Sequence, residues 1–313
     1  MIRLPGPLQR RLRAAADAML QPRFGPSVDF TRPAGEPALV GFDSLSWRIF
    51  KNPIALLVGG IAAVILELAE PAVRTGVWEH SSFLADPLGR LQRTGMAAMV
   101  TVYGARSVAE PMIAGVVRMH SRVAGTTSSG EVFHANDARL LRWVQATATF
   151  GFGEAYSRYV QCLDPEEWER LYVEGGPAAR LYGACDAPHS RAAAASLFES
   201  MHERLERSAI VFEFLDIMRR TSALPAALRW MQPLLVRAAV DLVPPWIRLR
   251  LGLGAALGLN PVSRGLIRLA GAAAERLVLP EAPPALACTR LGLPASYLYE
   301  DHSARLRTRR CRG

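Results

Sequence analysis

The residues with most chemistry in this 313-residue chain lie between Glu79 and Gly125. Asp86 before Pro87 predicts a helix start, because Asp caps orphan N–H groups and proline's fixed φ suits the first helical position. Arg90 and Thr94, four apart, then project from one face with Arg93 beside them. Gly104 predicts the end of that helix, and Ser107 with Glu110 has capping-box spacing for the next, leaving Pro111 in its tolerant first turn. In the second helix Ile113, Val116, Val117 and His120 share an apolar stripe, while Arg118, Ser121 and Arg122 lie opposite. A histidine on such a stripe has two readings: a core side chain satisfied by a carbonyl, or an axial ligand to a metal or haem. Haem iron is commonly held by a neutral imidazole in an apolar pocket, and its propionates suit arginine, so a helix pair offering both is apt for that chemistry without identifying it.

The elements around this pair read as all-α. Residues 6–20 place Leu8, Leu12, Ala16 and Met19 on one face and arginines on the rest, an amphipathic helix that packs on the domain or touches anionic lipid. Residues 21–43 read as loop, 42–50 as a short helix, and an apolar helix starts at Pro53. Gly125 to Phe133 reads as a polar turn, Asn136 or Asp137 as the cap of a long helix through Trp143, Phe150 and Tyr159, and Asp164–Pro165 as a further start. From Ser190 onward, Ala- and Leu-rich helical segments alternate with breaks at Pro225, Pro244, Pro261 and Pro280. Nothing reads as a sheet. The expected division is an N-terminal arm and loop over 1–43, one multi-helix domain over 44–300 and a basic, frayed tail over 301–313.

Half the residues are apolar, enough for a substantial core. The net charge of +9 comes from 37 basic residues of which only Lys51 is lysine. The arginines are spread along the chain and accompany no nucleic-acid motif, so a nucleic-acid partner is not expected. Cys162, Cys185, Cys288 and Cys311 form no Cys-x-x-Cys pair and have no His partner at zinc spacing. Few cysteines and no evident signal peptide fit a cytoplasmic protein. The apolar run from Pro53 to Leu66 stops at Glu67, short of the ~20 residues a membrane span needs, and reads as a buried core helix.

The run GVWEHSSFLADPLGRLQRT, followed by MHSRVAGTT, GEVFHANDARLLRWVQAT and the segment from Asp164 to Gly175, resembles the haem b oxygenases that include latex-clearing rubber oxygenases and the oxygenase of mycophenolic acid biosynthesis. The similarity runs from about Gly59 to Gly183 and is most specific at Arg90-x-x-x-Thr94 and His120-x-x-Val123. It implies haem b held between the 86–103 and 107–123 helices, with His120 as the axial ligand and Arg90 and Thr94 in the haem cavity, needed for a working site. Rubber oxygenases have lysine where this chain has Arg93, and that lysine can occupy the distal iron position. Guanidinium stays charged and cannot ligate, so the distal side is expected to be open or closed by another residue, with Arg93 kept among the catalytic-site candidates. Relatives often have glutamine and histidine where this chain has Glu67 and Glu70, which leaves the catalytic base open. The reaction implied is O2-dependent attack on a carbon–carbon double bond of an apolar, isoprenoid-like or lipid-like substrate.

Other constellations compete. Glu131 with His134 and Glu199 with His202 are Glu-x-x-His pairs, of which a helical di-iron carboxylate protein uses two, but Glu131 lies in a loop-like stretch. A non-catalytic binder of haem or of a lipophilic ligand is the alternative from another class. Gly252, Gly254 and Gly258 imitate a dinucleotide turn without a strand and read as helix-end punctuation. No Gly-x-Ser-x-Gly elbow suggests a hydrolase.

Overall fold

Asn52 opens the helix on which the rest of the fold is packed. Its Oδ1 accepts the N–H groups of Ile54 and Ala55, and Pro53 occupies the first position, where no N–H is needed. In the computed structural model, which describes residues 28–221 and 223–300, this helix is α2 (Pro53–Ala69), preceded by the short α1 (Leu45–Phe50). The N-terminal helix expected over 6–20 and the tail over 301–313 lie outside the described residues. As expected for the Pro53–Leu66 run, α2 is a core helix, with Val58, Ile65, Leu66 and Leu68 fully buried. No single helix among the described residues is long and apolar enough to cross a membrane.

The partner of α2 is the long helix α6 (Ala138–Tyr159). The two run antiparallel, touching at Gly59 and Gly151 and again where Trp143 Nε1 donates to the Leu66 carbonyl at 3.2 Å. The approach needs glycine: a Cβ on Gly59 would stand 2.8 Å from the Gly151 carbonyl oxygen. Between them in sequence, α3 (Pro71–His80) turns 110° away from α2, capped by Glu70, whose carboxylate accepts the Val73 N–H at 2.8 Å. Then follow α4 (Pro87–Tyr103), capped as expected by Asp86 on Gly89 N–H, and α5 (Arg106–His120).

Three local expectations are corrected. The Ser107–Glu110 capping box does not form: α5 starts at Arg106, and the Ser107 N–H and hydroxyl donate to the Glu36 carboxylate at 2.6 and 2.9 Å. A carboxylate from the preceding loop thus takes over the capping role, and the helix begins early enough to leave Pro111 in its interior. The stretch after α5 is not a plain turn but a two-stranded antiparallel hairpin, β1 (Ala124–Thr126) with β2 (Val132–His134), closed through Gly130 at φ +86° and anchored by buried Phe133. Strands of three residues are too short to show an alternation. Asp137 precedes α6 without capping it, its carboxylate accepting the His134 N–H instead at 3.0 Å.

The remaining helices complete an all-α protein around one large core: α7 (Pro165–Glu174), with the Asp164–Glu167 capping box, α8 (Gly176–Leu181), α9 (Arg191–Ser200), α10 (Ala209–Arg220), α11 (Gln232–Leu242), α12 (Pro245–Leu251), α13 (Pro261–Ala274) and α14 (Pro283–Arg290). Gly252 ends α12 at φ +72°, so the glycine cluster there is helix punctuation. A smaller core of Phe30, Leu39, Trp47, Tyr103, Ile113 and Cys288 lies where α4 meets α5.

Candidate active site

Gly104 and Ala105 separate α4 from α5, and Arg90 on the first lies close enough to His120 on the second for its charge to act on the imidazole. The Gly104 end is secured by the smaller core: Tyr103 donates its hydroxyl to the Trp47 carbonyl at 2.7 Å and meets the Trp47 ring edge to face. Packing loosens away from that end. Met99, Val100, Val102 and Tyr103 are buried, whereas Arg90, Gly95, Met96 and Ala97 on α4, and Val116, Val117 and His120 on α5, keep accessible surface.

Arg90 and Thr94 are brought together as their spacing predicts. The guanidinium donates to the Thr94 hydroxyl at 2.8 Å, and that hydroxyl donates to the Arg90 carbonyl at 2.9 Å. Arg93 diverges, donating to the Ser82 hydroxyl at 2.5 Å and to the Asp86 carboxylate at 3.4 Å in the loop before α4. His120 Nδ1 is buried and has no hydrogen-bond partner among the described residues. Burial, and then the charge of Arg90, hold the His120 pKa below its ordinary value, so the imidazole is neutral at neutral pH.

A fourth group comes from α2. Burial pushes the Glu67 carboxyl up to about 7, with the Arg90 charge and the Thr147 hydroxyl pulling only part of the way back. Burial in turn lowers the pKa of Arg90, opposed by Glu67 and helped by Arg93. Glu67, Arg90 and His120 therefore share one electrostatic neighbourhood, yet no hydrogen bond or ion pair among the described residues joins any two of them. Each lies deep in the protein and each retains accessible surface, the combination expected of side chains around an internal space. Glu67 was left without a role by sequence reasoning; its signal is a lone carboxylate closing the apolar run ILELAEP.

Glu70, three residues on, has the opposite fate. Burial alone would raise its pKa, but Arg139 at 2.7 Å, the Val73 N–H and Arg204 at 3.1 Å outweigh it, and the carboxylate is held below its ordinary range. The same two arginines hold Glu131 at 3.0 and 2.6 Å, tying the hairpin that follows His120 to α3 and α6. Glu131 is thus taken up by cations, His134 is exposed, and His202 bonds Glu203 at 2.9 Å and stacks on Trp246. Among the described residues no group of three or more His, Cys, Asp or Glu side chains is gathered for a metal ion, so the two Glu-x-x-His pairs are not assembled into a di-iron site.

A single imidazole suits a porphyrin-bound iron better than a bare one, because porphyrin supplies the equatorial ligands and leaves the protein one axial position to fill. The His120 nitrogen, without a hydrogen-bond partner among the described residues and with the Arg90 charge near it, fits that requirement. Fold and site together define an all-α protein that brings one candidate ligand imidazole near an arginine–threonine pair. A family model described as "ER-bound oxygenase mpaB/B'/Rubber oxygenase, catalytic domain" matches residues 47–276, and the chain belongs to this family. It is accordingly an oxidoreductase of the oxygenase kind. No curated protein and no solved structure matches the chain.

Proposed function

We propose that this chain is a haem b-dependent oxygenase that uses O2 to attack or cleave a carbon–carbon double bond of an apolar, isoprenoid-like or lipid-like substrate. The observation that carries the reading is His120, a neutral imidazole whose buried Nδ1 has no hydrogen-bond partner among the described residues, within reach of the Arg90 charge. His120 would hold the haem iron through its ring nitrogen. Arg90, hydrogen-bonded to the Thr94 hydroxyl, would bind a haem propionate or another anionic group there. Bound haem supplies the binding and activation of O2. Glu67, whose carboxyl titrates near neutral pH, holds or accepts a proton at its carboxylate oxygens beside the reacting substrate. Arg93 is turned to Ser82 and Asp86 and can supply no neutral nitrogen, so exogenous imidazole or cyanide binds the ferric protein readily.

The test is the absorption spectrum of protein purified from haem-replete cells. A Soret band is expected, and His120→Ala should remove most of the haem while circular dichroism shows the helices intact. Full haem occupancy in His120→Ala would overturn the ligand assignment; two irons per chain without porphyrin would restore the di-iron reading. Oxygen consumption on adding an isoprenoid separates an oxygenase from a binder.

A further inference from the structure

We infer that the outward face of α13 is a docking surface for an anionic lipid bilayer. α13 carries Val262, Leu266, Ile267 and Leu269 between its arginines, more apolar side chain than a single buried face takes up. Only one side is covered. Ile267 and Gly271 face the core, Gly271 so close to the Tyr159 carbonyl that a Cβ could not be placed there, and the Gly271 carbonyl accepts the Asn52 side-chain N–H at 3.0 Å. These contacts fix the rotation of the helix. Val262 and Leu269 are consequently held outward at 83% and 68% exposure, two turns apart, with Ala272 and Ala273 continuing the face. Large aliphatic side chains this exposed, on a helix that cannot turn to bury them, mark a binding surface.

The charges select the occupant. From 242 to 274 the chain contains no acidic residue. Arg248 and Arg264 share the single carboxylate of Asp241 at 3.3 and 2.9 Å, leaving one net positive charge, and Glu275 is turned inward to Lys51 at 2.9 Å. Arg268, on the flank of α13, and Arg276, just past its end, are both exposed and have no carboxylate partner among the described residues; Arg268 donates only to the Arg158 carbonyl at 3.1 Å. The described chain also ends near the C-terminal end of this helix, since Lys51, which pairs with Glu275, donates to the Leu298 carbonyl at 2.5 Å. The sequence beyond carries Arg305, Arg307, Arg309, Arg310 and Arg312. An apolar helix face flanked by Arg268 and Arg276 complements acyl chains beneath anionic headgroups. A second copy of the chain would bring like charges together.

The experiment is co-sedimentation of the full chain with vesicles of phosphatidylcholine alone and of phosphatidylcholine with phosphatidylglycerol in equal parts. Binding to the anionic vesicles, weakened by salt, is expected. Leu269→Glu, and separately Arg268→Glu with Arg276→Glu, should each lower the partition coefficient by about tenfold or more, with unchanged thermal unfolding because all three side chains are exposed. Leu8→Ser with Leu12→Ser in the N-terminal segment should leave most of the binding. A fluorophore on Val262→Cys should shift to the blue on adding anionic vesicles. No vesicle binding by the full chain, equal binding by the α13 variants, or loss confined to the Leu8 and Leu12 variant would overturn the proposal. So would a concentration-dependent dimer that Leu269→Glu dissociates.

Discussion

Glu67→Gln tests whether the carboxyl beside Arg90 and His120 is as deeply held as its surroundings imply. The substitution keeps size and hydrogen-bonding capacity and removes the ionisable group. In the fold Glu67 titrates near about 7 against an ordinary value of 4.5. The folded state therefore binds more protons than the unfolded chain between those values, and the group's burden is absent below the lower one, grows as pH rises, and is complete above the upper. At about 1.4 kcal/mol per pKa unit the full burden is about 3–4 kcal/mol, most of which develops between about pH 5 and about pH 8. Because the side chain keeps some accessible surface, about 2 kcal/mol is the figure to expect. Urea unfolding of haem-free wild type and Glu67→Gln, followed by circular dichroism at both pH values, isolates this contribution, since the other titrating groups are common to both. The variant should gain on wild type by about 2 kcal/mol from the lower pH to the higher. Parallel pH profiles would refute the buried-carboxyl reading.

Two further substitutions probe the site's cation and its scaffold. Arg90→Ala should weaken haem binding ten- to a hundredfold, since a charge-assisted contact to a buried anion is worth ~1.5–3 kcal/mol, while Arg118→Ala on the exposed side of α5 should change it by less than about twofold; equal small losses in a haem titration would place the anion contact elsewhere. Gly151→Ala should lower stability by about 3 kcal/mol, because the added Cβ would stand 2.5 Å from the Gly59 carbonyl and 3.1 Å from the Ala63 nitrogen, backbone atoms that cannot give way; an unchanged melting temperature would mean the α2–α6 crossing is not where it is described.

What the sequence determined by itself was local. Asp86 before Pro87 and Asp164 before Pro165 start helices because capping joins groups three residues apart, and Arg90 and Thr94 meet because one helical turn separates them. His120 on its apolar stripe and the uninterrupted apolar run after Pro53 were legible for the same reason: helical periodicity maps order along the chain onto faces. Tertiary structure alone decided the charges. Glu67 and Glu70 stand three residues apart in ILELAEP, yet one carboxyl is raised to about 7 and the other is held below its ordinary range. The difference lies in which guanidiniums arrive: Arg139 and Arg204 reach Glu70 from 69 and 134 residues away, while Arg90 faces Glu67 without bonding it. Glu36 likewise takes over the start of α5 from 71 residues off and displaces the capping box written beside it. The pKa of a buried carboxylate depends on desolvation and on charges within a few ångströms, and neither exists until distant segments have packed together.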